Sequence, residues 1–164
     1  MRTLSYRNIP LLTLGLIILM FALFVSAGCD LSGDKQAKED YIAKANAITD
    51  RQVAMDTKLS DMIGGSSNAQ ISKQAASDAK AYDEMVAELT ALNTPEQFTQ
   101  GNDMLISSFK KFSTALNSFS EAYKGGDTMN DAMKEKLLNA VKVYDAAVAE
   151  AHQAADMINA AKNS

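Results

Sequence analysis

The sequence predicts an all-α protein, an antiparallel up-down-up-down four-helix bundle behind an apolar N-terminal segment. Three observations lead there. Beyond residue 35 the apolar residues recur in steps of three and four rather than two. Alanine, the best helix former, is abundant throughout that region. Glycine and proline fall at the edges of the periodic segments, as in "GGSSN", "NTPEQ" and "KGGD".

The first helix is expected over 36–63, with Tyr41, Ala45, Ile48, Gln52, Met55, Leu59 and Met62 forming a heptad seam with one polar member. "GGSSN" at 64–68 ends it. The second covers 69–92, its stripe running through Ile71, Ala75, Ala79, Tyr82, Val86, Leu89 and Leu92. In "NTPEQ", Thr94 fits an N-cap, Pro95 the first helical position and Gln97 the reciprocal partner of a capping box. The third helix accordingly starts at 95 and runs to 124, carrying Phe98, Leu105, Phe109, Phe112, Leu116, Phe119 and Tyr123, with Asn102 at the vacant seam position. Glycine caps in "KGGD" close it. The fourth helix spans 128–162, with Met133, Leu137, Ala140, Tyr144, Val148, Ala151, Ala155 and Ile158 inward. Four such helices joined by short loops become antiparallel neighbours.

The N-terminal segment is of another kind. "MRTLSYRN" is a short positive stretch, residues 9–25 are almost wholly apolar, and "SAGC" follows. A positive start, an apolar core and small residues before a break make a signal-peptide pattern. "VSAGC" resembles the lipobox of bacterial lipoproteins, with Ala27 and Gly28 as the small residues before Cys29. The family prefers Leu, Val or Ile three residues before the cysteine, where this chain has Ser26 behind Val25.

The resemblance implies cleavage between Gly28 and Cys29 and a diacylglyceryl group on the Cys29 thiol. It divides the chain into a signal peptide (1–28), a lipidated start and tether (29–35) and the bundle (36–164). Two acyl chains hold a protein at a membrane far longer than one. The lipid bilayer, reached through acylated Cys29, is then the first partner. A retained membrane helix is the alternative, since seventeen apolar residues reach about 25 Å. Arg2 and Arg7 keep the N-terminus inside on either reading, which puts the bundle outside the cytoplasm.

Composition excludes several classes. Without Arg2 and Arg7, fourteen Lys and Arg face twenty Asp and Glu, a formal charge near −6. Such a chain lacks the clustered cations that nucleic acid requires, and no nucleic-acid partner is expected. A lone cysteine forms no internal disulfide. His152 with Asp156 at i, i+4 could offer two metal ligands, but Ala151 and Ala155 hold the seam, so His152 reads as a partly exposed flank. The phenylalanine stripe reads as core, and Asp83, Glu84 and Glu88 as a solvated face. No nucleophile–base pair, phosphate loop or metal cluster is legible, so neither catalysis nor a cofactor is expected.

Two functions remain open. One is a non-enzymatic interaction or spacer module at the cell envelope, presenting a helix face to an envelope protein partner. The other is a small-ligand-binding or sensor-type bundle using Gln52 and Asn102, the two polar interruptions of the seam. If those two share a cavity, Leu at each would stabilise an empty core and abolish binding.

Overall fold

The computed structural model describes residues 33–63, 65–124 and 130–162. It is the expected four-helix bundle: α1 (Gly33–Ile63), α2 (Asn68–Ala91), α3 (Thr99–Tyr123) and α4 (Asp131–Lys162), with a 3-10 turn at Glu96–Phe98. Cross-helix pairs give the topology. Arg51 meets Glu88, Ser72 meets Ser120 and Lys111 meets Glu150, so successive helices run antiparallel. No helix among the described residues is long and apolar enough to cross a membrane.

The helices are not equivalent. α3 packs closely on both α2 and α4, whereas the α1 backbone comes near α2 along part of its length and stays farther from α3 and α4. Side-chain size explains this. α4 buries Ala140, Ala147, Ala151, Ala154 and Ala155, and α3 buries Gly101, Ser108 and Ala115, so the two backbones can approach. α1 presents Tyr41, Ile42, Ile48, Gln52 and Leu59 inward, with Ala45 the small exception, and its axis stands further out.

The core centres on α3. Phe98, Phe109, Phe112, Leu105 and Leu116 are essentially inaccessible, each worth roughly 1.5–3 kcal/mol of apolar burial. Tyr82 lies against Phe112 (centroids 5.1 Å apart) and meets Phe109 edge-on, while Tyr144 meets Phe112 edge-on at 4.9 Å. The phenylalanine stripe is therefore core.

Several helix ends differ from expectation. α1 begins at Gly33, three residues early. The capping box lies at α2, where Ser67 is the N-cap: its Oγ accepts from Gln70 N (3.4 Å) and its own N–H donates to Gln70 Oε1 (3.0 Å). The box expected at Thr94 does not form. Thr94 Oγ1 donates back to the Leu92 carbonyl, Pro95 leads a 3-10 turn, and Gln97 Nε2 reaches the Ala161 carbonyl on α4. Docking of Phe98 beside Tyr41 accompanies this extra turn. α4 starts at Asp131, capped by Asn130 Oδ1, which accepts from Met133 N at 2.9 Å. The glycine caps expected at Gly125 and Gly126 lie outside the described residues.

The caps are distinguishable by mutation. Ser67→Ala should cost about 1 kcal/mol in urea unfolding, and Thr94→Ala should stay within about 0.5 kcal/mol of the parent. The α3–α4 approach is testable at Gly101. A Cβ there would stand 2.6 Å from Ile158 Cγ1 and 3.3 Å from the Ala154 carbonyl oxygen. Helix propensity favours Ala by about 1 kcal/mol, but overpacking costs about 1–3 kcal/mol, so Gly101→Ala should lower the melting temperature. Gly65→Ala, with nothing within 4 Å of the new Cβ, should not.

Candidate functional site

The heptad seam of α1 turns Gln52 inward, and Asp56 follows one turn later beside it. Across from them Tyr82 on α2 is fully buried. Its ring belongs to the aromatic core, so its hydroxyl needs a partner inside the protein. That partner is Asp56: Tyr82 Oη donates to Asp56 Oδ1 at 3.0 Å. Gln52 Nε2 lies 3.4 Å from Asp56 Oδ2, and Tyr144 of α4 faces the same carboxyl group across a small cavity, its hydroxyl favouring the charged form. Three helices thus converge on one carboxyl group.

A second acid lies nearby. Asp78, one turn before Tyr82, is 4% exposed. Its Oδ1 accepts from Gln74 Nε2 at 2.7 Å, while its Oδ2 is buried without a hydrogen-bond partner. Burial disfavours the charged form of both acids. It pushes Asp56 up to about 6, with the Asp78 charge adding to the rise and the bonds from Tyr82, Gln52 and Tyr144 holding it down. Asp78 is raised by burial too, partly offset by Gln74 and Lys58. Tyr82 and Tyr144 are pushed well above the ordinary phenol range, first by burial and then by the Asp56 charge.

Asp56 and Tyr144 also line a small cavity with Leu59, Ile63, Ile71 and Phe119. Its volume of about 10 Å³ has room for about one water molecule. The group as a whole can bind or release a proton. It contains no nucleophile paired with a base.

The residues singled out from sequence are dispersed. Gly28 and Cys29 lie outside the described residues. Gln52 belongs to the Asp56 group. Asn102, buried on α3, accepts from the Tyr41 hydroxyl at 3.2 Å, and the Tyr41 ring stacks on Phe98. Tyr41 and Gln52 are eleven residues apart on α1, about 16 Å along the axis, so Gln52 and Asn102 do not share a cavity. His152 is partly buried, and Asp83, Glu84 and Glu88 are exposed. Among the described residues no three His, Cys, Asp or Glu side chains gather as a metal site would require.

Asp56 and Asp78 escaped the sequence reading. Each stands beside a seam residue, Asp56 four residues after Gln52 and Asp78 just before Ala79. The polar step at Gln52 was the available signal.

Comparison with protein-family models, curated proteins and solved structures returns no match.

The Tyr41–Asn102 bond yields a mutational expectation opposite to that for an empty polar pocket. Asn102→Leu removes the acceptor and leaves a buried hydroxyl unpaired, a loss of about 1–3 kcal/mol. Adding Tyr41→Phe to that variant should recover part of the loss, measured by thermal unfolding of the single and double variants.

Proposed function

We propose that this chain is a bacterial lipoprotein whose helical bundle works, without catalysis, as an interaction or spacer module on the outer side of a cell membrane. The observation that carries the choice of module over ligand binder is the packed interior. A small-molecule pocket has a volume of roughly 300–1,000 Å³; the interior hollow beside Asp56 holds about 10 Å³, and the larger hollows, of about 290 to 480 Å³, are open grooves at the surface. Gln52 and Asn102, the polar groups a ligand would have used, are each engaged by the protein.

Support for the anchor comes from the "VSAGC" pattern and its charged, apolar lead. α1 begins at Gly33, so a chain starting at Cys29 has four residues before its first helix. Those span at most about 14 Å. On this reading the end of the bundle holding Tyr41, Phe98 and Ile158 stands close to the bilayer. The opposite end, where α1 closes at Ile63 and α3 at Tyr123, is held away from it and faces an envelope partner.

The test is the intact mass of the protein, extracted from producing cells in mild detergent. A chain beginning at Cys29 with added diacylglyceryl mass is expected, and Cys29→Ala should abolish that addition. An unmodified chain beginning at Met1 would overturn the lipoprotein reading in favour of a retained membrane helix.

A further inference from the structure

The Asp56 group sits where the bundle is least tightly assembled. α1 is the helix whose backbone stays furthest from its neighbours, and Asp56 is where it hydrogen-bonds Tyr82 of α2 and faces Tyr144 of α4 across a small cavity. These contacts meet at one carboxyl group, so the charge on that group bears directly on whether α1 stays seated. We propose that Asp56 is a proton-operated latch for α1: protonated, it holds the helix on α2 and α4, and ionised, it favours release of the helix from the bundle.

The surroundings are one-sided. From α2, Tyr82 and Asp78 face Asp56. From α4 comes Tyr144, with Asp145 acting on its hydroxyl. From α3, Tyr123 stands on the wall of the same cavity. On α1 itself the neighbour is the uncharged Gln52. Among the described residues no cation acts on the Asp56 carboxyl; Lys58 acts on Asp78 instead. An ionised Asp56 therefore has hydroxyl and amide donors but no counter-charge, and Asp78 opposes it. Protonation removes the buried charge, and the acid O–H can donate to a neighbouring oxygen.

The sign follows from linkage. The docked state binds this proton more tightly than a released, solvated α1, so docking is strongest in acid and weakens as pH rises. The window runs from the ordinary 3.8 up to about 6. Over its upper part and just beyond it, between about pH 5 and about pH 7.5, the released fraction should rise about tenfold and then level off.

The latch does not rest on the lipoprotein reading and holds for a cleaved or an uncleaved chain. It is tested on the full-length protein in detergent micelles by amide hydrogen exchange, with each rate corrected for the intrinsic effect of pH. Protection of α1 amides in 42–60 should fall about tenfold between about pH 5 and about pH 7.5, with α3 amides unchanged. Asp56→Asn, an uncharged near-isostere, should remove the pH response. Tyr144→Phe deletes a donor that favours the ionised carboxylate, so its response should persist with a midpoint at higher pH. The proposal is overturned if α1 protection does not vary with pH, if α3 loses protection equally, or if Asp56→Asn responds as the parent does. Should Asp56→Asn fail to fold, an unmoved midpoint in Tyr144→Phe overturns it as well.

Discussion

The close approach of α3 to α4 is the constraint on which the rest of the bundle depends. Gly101 has no Cβ, and a Cβ there would collide with Ile158. The alanines of α4 likewise keep their side of the seam thin. Two helices brought together on small residues leave little room for bulky groups between them. The large side chains of α3 turn chiefly toward α2, where Phe109 and Phe112 meet Tyr82, while Phe98 of the preceding 3-10 turn meets Tyr41 of α1. The aromatic core is thus displaced toward α2 and α1, and α1 closes over it at a greater distance.

That displacement creates the polar group at Asp56. A tyrosine in an aromatic cluster contributes a large apolar ring but carries a hydroxyl that must be bonded if it is buried. Tyr82 donates its hydroxyl to Asp56, and Tyr144 faces the same carboxyl group from α4. The arrangement satisfies the Tyr82 phenol at the expense of a partly buried carboxylate. Burying such a group without a counter-charge is costly in its ionised form, which is why its affinity for a proton is raised. Tyr41 solves the same problem differently, with the neutral amide of Asn102 as acceptor, and among the described residues at that end no carboxyl group is raised as Asp56 is. α1 is therefore held at two levels by two chemistries, one indifferent to pH across the neutral range and one sensitive to it.

Much of the fold was legible because helical periodicity is a local property. The spacing of Ile71, Ala75, Ala79, Tyr82 and Leu89, or of Leu105, Phe109, Phe112, Leu116 and Phe119, marks a buried face that the structure reproduces. Helix ends were read less well. Thr94, Pro95 and Gln97 have the residue types of a capping box, but Gln97 is engaged by the last turn of α4 and Phe98 by Tyr41, and a 3-10 turn results. Ser67 and Gln70, in a stretch read as a simple break, form the box instead. The carboxylates Asp56 and Asp78 were missed because each sits beside the seam rather than on it. Whether such a flanking position is buried depends on how closely the neighbouring helix lies.

The helical class, the number of helices, most of their inward faces and the distinct composition of residues 1–28 are legible in the chain alone. These follow from chain-local quantities: the 3.6-residue repeat, the positions of glycine and proline, and the run of apolar residues at the N-terminus. Which helices lie close, where the tyrosine hydroxyls end, and which two acids are drawn in among the helices came from packing. Those outcomes depend on the volumes of side chains far apart in the chain, such as Gly101 against Ile158 and Asp56 against Tyr144. Such pairings become definite only when the helices are packed together.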